Sequence, residues 1–201
     1  MKLILASASP RRAEILRNAG FDFEILPTEV DESVRPRESA ADYVRRLAEE
    51  KSLAAAQKLV AKFKRDSAVI IAADTTVVSD DEILGKPASA DDARATLRRL
   101  SGKTHDVLTG LAVLPLRNAD IQLAVESTRV TFARMTAHEI EDYVASGEPF
   151  DKAGAYAIQG RCGRFITRIE GCYFNVMGLP LARLYTMLKA AGSDHRFQPG
   201  P

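Results

Sequence analysis

The sequence predicts an α/β fold, because short apolar runs alternate along the chain with longer amphipathic segments. The first apolar run, residues 3–6, has the length of a strand, and the amphipathic segment that follows it ends at Gly20. A second run, residues 68–73, is apolar throughout, which is typical of a strand covered on both faces. With 201 residues, 46% of them hydrophobic, the chain can bury one substantial core or form two lobes that share a cleft. We expect a single domain over residues 1–192.

The composition argues against several classes of partner. The 28 basic and 27 acidic residues leave a formal net charge of +1, so no overall positive field favours nucleic acid or an anionic membrane. The longest apolar run is far too short to span a bilayer, and the N-terminus lacks the pattern of a secretory leader. A cytoplasmic protein is therefore expected. Cys162 and Cys172 lack the Cys-x-x-Cys spacing of a zinc or redox site, which favours reduced thiols.

The N-terminal part of the chain predicts a strand, a helix, a strand, a loop and a long helix. Residues 21–25 alternate apolar and polar side chains, which indicates a second strand near the first. Residues 27–36 carry acids and prolines without apolar periodicity and predict a loop. Residues 39 to about 63 predict the long helix, on which Lys51 is expected to be a solvated charge. The predicted apolar face of that helix comprises Tyr43, Val44, Leu47, Leu53 and Leu59.

The rest of the chain predicts strands and helices bounded by turn and capping residues. The buried run ends in Asp74 and Thr75, and a strand continues over residues 76–79 to a hairpin turn at Asp80 and Asp81. Further strands are predicted at residues 83–85, 105–114, 123–132, 165–169 and 172–176, the last two forming a hairpin. Further helices are predicted from Ser89 to Leu100, from Thr136 to Gly147, and from about Pro180, with Leu181, Leu184, Tyr185 and Leu188 as the last apolar face. Residues 193–201 are expected to form a frayed tail.

The Ser-Ala-Ser-Pro-Arg-Arg stretch at residues 7–12 predicts an anion site at the start of the first helix. Ser9 is a good N-cap, and Pro10 suits the first helical position. Arg11 and Arg12 place two cations at the positive end of the helix dipole, which is unfavourable unless an anion arrives. Backbone N–H groups, hydroxyls and guanidinium groups converge there, as phosphate binding requires. The alternative is a capped surface helix with solvated arginines.

Four carboxylates are candidates for chemistry: Glu29, Asp31 and Glu32 in the predicted loop, and Asp74 at the end of the buried run. A carboxylate placed like Asp74 needs a cation or hydrogen bonds and can take a proton from attacking water. The alternative for Asp74 is a turn cap. Carboxylate oxygens suit Mg²⁺ or Mn²⁺, although acids in a loop are often simply solvated. Lys86 follows on the same predicted hairpin, which therefore offers an acid and a base.

The basic side chains that phosphoryl chemistry would need for developing charge are Arg11, Arg12, Lys51 and Lys86. The chain has no Gly-x-x-x-x-Gly-Lys-Ser/Thr loop, which excludes a P-loop NTPase. It has no Gly-x-Ser-x-Gly motif, and its three histidines do not cluster. A serine triad or a histidine-rich zinc site would therefore lack its parts.

Five short motifs that follow one another along the chain closely resemble the Maf family. Any one of them is weak, but the ordered set is highly specific, and the resemblance runs from residue 3 to about residue 191. The motifs are Ser-x-Ser-Pro-Arg-Arg at 7–12, Ala-Asp-Thr at 73–75, Gly-Lys-Pro at 85–87, Asp-Lys-Ala-Gly-Ala-Tyr at 151–156 and Gly-Leu-Pro at 178–180.

The resemblance implies a nucleoside triphosphate pyrophosphatase, which cleaves between the α and β phosphates. It also implies an elongated mixed β-sheet flanked by helices, with two lobes around a central cleft, similar to inosine triphosphate pyrophosphatase-like folds. By position, Asp74 matches the family's proton acceptor and Glu32 an acidic residue important for activity. These two would hold a divalent metal cation, Mg²⁺ or Mn²⁺. The family's phosphate-binding set corresponds to Ser9, Arg11, Arg12, Lys51 and Lys86.

Within the family, the combination of Arg11, Thr75 and Gln159 looks like that of the subgroup acting on dTTP and UTP, and modified pyrimidine triphosphates are further candidates. The Gln159 amide can offer both a donor and an acceptor to the imide edge of uracil or thymine. The resemblance also suggests a homodimer. The alternative function is a nucleotide-binding regulator of cell division with little turnover. An RNA-binding role is disfavoured by the near-zero net charge and the 6% aromatic content.

Overall fold

The computed structural model describes residues 1–60 and 68–192, apart from the side chain of Val60. The chain forms two compact units, and the strands β3, β5 and β6 defined below contribute residues to both. Unit 1 comprises Met1–Asp74, Thr109–Glu126 and the chain from Gly178 onward. Unit 2 comprises Thr75–Leu108 and Ser127–Met177. Whether residues 1–192 behave as one domain stays a prediction, and the predicted tail at 193–201 lies outside the described residues.

The described residues form a mixed α/β fold, as the sequence predicts. The strands are β1 Lys2–Leu5, β2 Phe23–Ile25, β3 Ala68–Ser79, β4 Glu82–Leu84, β5 Thr104–Pro115, β6 Gln122–Phe132 and β7 Ile166–Glu170. The helices are α1 Pro10–Asn18, α2 Ala40–Val60, α3 Ala90–Leu100, α4 Ala137–Ala145, α5 Tyr173–Val176 and α6 Leu181–Ala190. Short 3₁₀ helices cover Glu148–Asp151, Ala153–Ala155 and Arg161–Phe165.

The strands form one sheet in the order β2-β1-β3-β5-β6-β7, with β4 paired to β3. Strand β1 lies between two parallel neighbours, with Leu3 beside Phe23 of β2 and beside Val69 of β3. The β3–β4 and β6–β7 pairs are antiparallel. Asp80 and Asp81 both adopt positive φ in the tight turn between β3 and β4, which suits the right-handed twist of a two-residue hairpin.

Each unit has its own apolar core. In unit 1, α2 packs Ala48, Ala55 and Leu59 against the strands. Gly110 of β5 permits close packing with this helix, because a Cβ atom there would lie 2.0 Å from the Val44 carbonyl oxygen. Unit 2 buries a second core that is lined by residues of α3, α4 and the strands, among them Leu97, Leu100, Val130, Phe132, Ile140 and Tyr143.

Most predicted elements are present, and the capping residues at the starts of α3 and α4 are confirmed. The Ser89 hydroxyl accepts from the Asp92 N–H at the start of α3. Thr136 and Glu139 cap α4 reciprocally. The part of the predicted long helix beyond residue 60 lies outside the described residues.

Several details of the sequence prediction are wrong. Residues 172–176 do not pair with β7 in a hairpin, since Gly171, with a positive φ of 128°, is followed by a helical turn, α5. Leu53 and Tyr185 were expected on apolar faces but are 44% and 39% exposed, because their helical spacing places them off the buried stripes. Lys51, expected to be solvated, is 8% exposed.

Candidate active site

Lys51 lies between two carboxylates in unit 1. Its ammonium Nζ donates to Glu32 Oε1 and to Asp74 Oδ1, each at 2.6 Å. The side chains of Lys51 and Asp74 are 10% and 12% exposed, whereas that of Glu32 is half exposed. Residues Glu32, Lys51 and Asp74 are here called the acid–lysine cluster. A buried lysine and a buried aspartate are stable only because each compensates the other's charge.

The position of Lys51 follows from the periodicity of α2. Lys51 falls in line with Val44, Ala48 and Ala55, whose side chains are fully buried. The residue thus belongs to the buried stripe by spacing, and its ammonium group requires a partner there. The helical spacing could therefore have predicted that Lys51 is buried, although lysine is a residue type that is usually exposed.

Asp74 lies inside β3 and not at a strand end, which corrects the sequence expectation. The six residues before it, 68–73, are each at most 3% exposed. The strand continues through Asp74 because the residues after it, Thr75 to Val78, are β-branched and favour extended backbone. The carboxylate is therefore anchored on both sides by regular strand structure.

Glu32 is brought to Lys51 by a loop that α2 holds through backbone carbonyls. The Tyr43 hydroxyl donates to the Glu32 carbonyl at 3.0 Å. Arg46 Nη2 donates to the Ser33 carbonyl at 3.0 Å, and Nη1 to the Asp31 carbonyl at 3.5 Å. Three consecutive loop carbonyls are thus bonded by two side chains from adjacent turns of one helix. The sequence analysis did not identify Tyr43 or Arg46 as site residues.

Arg46 is itself fixed by Glu38. Arg46 Nε and Nη2 donate to the two oxygens of Glu38 at 2.6 and 2.8 Å, a bidentate geometry that gives strong, directional hydrogen bonds. The hydrogen bonds from Arg46 lower the pKa of Glu38 to about 2. Burial, together with the charges of Asp74 and Glu32, raises the pKa of Tyr43 to about 12, so Tyr43 remains a hydrogen-bond donor.

The start of α1 is organised by Ser7, which the sequence analysis did not assign to the site. Ser9 occupies the N-cap position, but its side chain makes no capping hydrogen bond, contrary to the prediction. The buried Ser7 hydroxyl instead accepts from the Ser9 N–H at 3.2 Å and from Arg12 Nη1 at 3.1 Å. Arg12 Nε also donates to the Gly178 carbonyl at 2.7 Å.

Arg12 is electrostatically connected to the acid–lysine cluster. Burial lowers the pKa of its guanidinium, and so does the neighbouring charge of Arg11, whereas Asp74 and Glu32 oppose the shift. Arg11 is partly exposed on the first turn of α1. Unit 1 therefore combines two carboxylates, a buried ammonium group and two guanidinium groups near a helix N-terminus. Such an arrangement can bind phosphate and accept a proton.

Three predicted substrate contacts lie in unit 2. Thr75 follows Asp74 in β3 and is partly exposed. Lys86 is exposed just beyond β4, and the N–H of Gly154 donates to the carbonyl of the preceding Gly85 at 3.1 Å. Gln159 is exposed in the irregular segment before the last 3₁₀ helix.

The acid–lysine cluster fits a divalent cation only as a partial site. The oxygens Glu32 Oε1 and Asp74 Oδ1 contact the same nitrogen and so lie within about 5 Å of each other. Mg²⁺ is commonly held by one or two carboxylates together with substrate phosphates, which matches this donor set. Among residues 1–60 and 68–192, no group of three or more His, Cys, Asp or Glu side chains is placed to hold a metal ion.

Solved structures show which fold class the chain has. A Ham1 protein from Staphylococcus aureus matches with a TM-score of 0.51, covering 94% of this chain and 99% of its own at 13% identity. A HAM1 protein from Coxiella burnetii matches with a TM-score of 0.50 over the same shares, at 15% identity. These similarities show a shared fold, as the sequence analysis expected.

The sequence comparisons are more specific. The family described as Maf-like protein matches residues 2–191, and the chain belongs to the Maf family. Relatives named dTTP/UTP pyrophosphatase share about half of its residues: those from Hahella chejuensis and Pelotomaculum thermopropionicum are 47% identical, and that from Koribacter versatilis is 49% identical. These alignments cover at least 95% of this chain and at least 92% of each relative. In the described part of the chain, no helix is both long and apolar enough to cross a membrane.

Proposed function

We propose that the protein is a nucleoside triphosphate pyrophosphatase that hydrolyses dTTP and UTP to the nucleoside monophosphate and pyrophosphate. Support comes from its membership of the Maf family and from relatives named for this activity that align over nearly their whole length. The observation that carries the proposal is the buried Lys51 ammonium between Glu32 and Asp74, near the arginine-bearing start of α1. The enzyme names of the relatives do not favour the alternative, a nucleotide-binding regulator with little turnover.

Asp74 is the proposed proton acceptor. Its carboxylate is held in place by the Lys51 ammonium and by regular strand on both sides. A water oxygen attacks the α or the β phosphorus as its proton passes to the carboxylate, and the bond from the attacked phosphorus to the bridging oxygen breaks. Attack at the α phosphorus expels pyrophosphate and attack at the β phosphorus expels the nucleoside monophosphate, and in each case the leaving group keeps the electron pair of the broken bond. Glu32, which also accepts from Lys51, is proposed to support this carboxylate.

The proposed phosphate-binding side chains in unit 1 are Ser9, Arg11, Arg12 and Lys51. The backbone N–H groups at the start of α1 and the Arg12 guanidinium suit a negatively charged phosphate, and Ser7 holds Arg12 in place. In unit 2, we assign phosphate binding to Lys86 and base recognition to Gln159 and Thr75. The Gln159 amide can complement the imide edge of uracil and thymine, and modified pyrimidines that keep this edge are further candidate substrates.

A divalent cation, Mg²⁺ or Mn²⁺, is proposed as the cofactor, with Glu32 and Asp74 as its protein ligands and substrate phosphates completing the coordination. When bound, such an ion would neutralise charge on the phosphates. A homodimer is proposed on the family resemblance, and a cytoplasmic location and a role without nucleic acid are proposed on the composition of the chain and its near-zero net charge. Light scattering on the purified protein tests the dimer.

Product analysis tests the proposed activity. The purified protein is incubated with dTTP or UTP and Mg²⁺, and the nucleotides and phosphates are separated by ion-exchange chromatography. The proposal expects monophosphate and pyrophosphate in equal amounts. Release of orthophosphate together with the nucleoside diphosphate, or no turnover of either substrate, would refute it.

A further inference from the structure

The segment that carries Gln159 is held at both ends by one pair of side chains. This segment, residues 157–161, is called the Gln159 segment. At its start the Ala157 N–H donates to the Tyr143 hydroxyl oxygen at 3.3 Å, and at its end the Arg161 N–H donates to Glu148 Oε2 at 3.1 Å. The Tyr143 hydroxyl in turn donates to Glu148 Oε1 at 2.9 Å. A single tyrosine–glutamate pair thus fixes the backbone on either side of Gln159.

The Glu148 carboxylate also lies directly against the backbone beside Gln159. A Cβ atom built on Gly160 would be 2.6 Å from Glu148 Oε1 and 2.9 Å from Oε2, closer than real Cβ contacts come. Gly160 has φ of 150°, a conformation that other residues rarely adopt. Only glycine therefore allows the carboxylate to approach this closely.

The pair is itself rigidly placed. Tyr143 is 1% exposed in the core of unit 2, and burial raises the pKa of its phenol above the ordinary value, so it stays a donor to Glu148. The Glu148 N–H donates to Ser146 Oγ at 3.3 Å, and the Glu148 carbonyl accepts from Lys152 Nζ at 2.8 Å. Both partners are thus fixed before any ligand binds.

We propose that Glu148 and Tyr143 are positioning residues that set the base selectivity of the enzyme by holding the Gln159 segment. The inference rests on the proposed function, in which Gln159 binds the pyrimidine edge. Hydrogen bonds between an amide and a base are directional and weaken steeply when misaligned. Since Gln159 is an exposed side chain, the placement of its amide depends on the backbone that carries it. A loosened segment would let the amide turn over and accept the cytosine edge, on which donor and acceptor are exchanged.

The test compares binding of the α,β-methylene analogues of UTP and CTP, which cannot be cleaved between these phosphates, by calorimetry. The variants are Glu148→Gln, which replaces one acceptor by a donor facing either the Tyr143 hydroxyl or the Arg161 N–H, and Tyr143→Phe, which removes two of the three hydrogen bonds. The matched control is Glu139→Gln, another carboxylate that accepts backbone and side-chain hydrogen bonds at α4 but does not contact the Gln159 segment.

We expect the wild type to prefer the UTP analogue by about tenfold or more, and each of the two variants to reduce that preference by about tenfold, on the scale of a lost amide–base pairing. The affinity of the two variants for pyrophosphate should match that of the wild type, and so should the preference of Glu139→Gln for the UTP analogue over the CTP analogue. Three results would overturn the inference. They are an unchanged preference in a folded Glu148→Gln or Tyr143→Phe protein, an equal loss of preference in Glu139→Gln, and no preference between the two analogues in the wild type. Pyrophosphate release from dTTP by the wild type is measured separately and decides the proposed function alone.

Discussion

Replacing Lys51 by methionine removes the cation between Asp74 and Glu32 while keeping a long apolar side chain on the buried stripe of α2. The Asp74 side chain, 12% exposed, would lose a partner at 2.6 Å. Glu32 is half exposed and can be solvated by water, so the loss of its contact with Lys51 contributes little to the destabilisation. The principal penalty is an uncompensated carboxylate in β3.

The expected destabilisation is about 3 kcal/mol, at the lower end of the range for breaking a buried ion pair by removing one partner. For a chain of this size, that corresponds to a fall in Tm of about 6–12 °C. Lys51→Met combined with Asp74→Asn removes the uncompensated charge as well. This double variant should regain about 2 kcal/mol relative to Lys51→Met, because a neutral asparagine avoids the desolvation cost of a buried, unpaired charge.

Urea unfolding at pH 7, followed by circular dichroism, measures these differences. Lys58→Met is the matched control, since Lys58 lies on the same helix but is exposed. Its free energy of unfolding should differ from that of the wild type by less than about 0.5 kcal/mol. If Lys51→Met were as stable as Lys58→Met, or if adding Asp74→Asn brought no recovery, the buried ion pair would not exist as described.

Three further outcomes are expected. Arg46→Lys keeps the charge but loses the bidentate contact to Glu38 and the guanidinium N–H groups that bond the loop carbonyls. We therefore expect kcat/KM for dTTP to fall about tenfold or more, whereas the control Arg45→Lys, at an exposed neighbouring position, should leave it unchanged. Burial lowers the pKa of His105 to about 4, so below pH 6.5 the unfolded chain binds a proton that the folded chain does not, and the free energy of unfolding should fall between pH 6.5 and 4. Urea titrations at several pH values should show a smaller fall for His105→Gln, whereas the exposed control His138→Gln should behave like the wild type. Burial raises the pKa of the Cys162 thiol to about 12, so iodoacetamide should modify Cys172 in the native protein and both cysteines only in urea. Mass spectrometry identifies the modified residues, and modification of Cys162 in the native protein would contradict its burial.

Local patterns determined much of what the sequence could predict. Capping residues located the starts of α3 and α4, and the apolar run at 68–73 located the central strand, because these signals act within a few residues of the structure they specify. The helical turn after Gly171 was missed, since a short apolar stretch such as 172–176 suits a strand and a helix equally by composition.

The candidate site was predicted as residue types and not as contacts. Asp74 and Glu32 were named from their chemistry and the family motifs, but the loop and β3 are far apart in sequence, so their shared contact with Lys51 required the structure. The spacing along α2 could have indicated that Lys51 is buried. Nothing in the sequence indicated that Arg46 and Tyr43 bond the carbonyls of the Glu32 loop, because backbone acceptors leave no mark on residue type.

The most direct test of the account compares the wild type with Asp74→Asn, measuring turnover of dTTP by pyrophosphate release and binding of the uncleavable dTTP analogue by calorimetry. Asparagine keeps the shape of the side chain and can still accept from Lys51, but it cannot take a proton from water. The account predicts equal amounts of dTMP and pyrophosphate from the wild type, and a loss of at least about a hundredfold in kcat for the variant with analogue affinity within about threefold. Turnover by Asp74→Asn at the wild-type rate would contradict the assignment of Asp74 as the proton acceptor, and dTDP with orthophosphate from the wild type would contradict the proposed reaction.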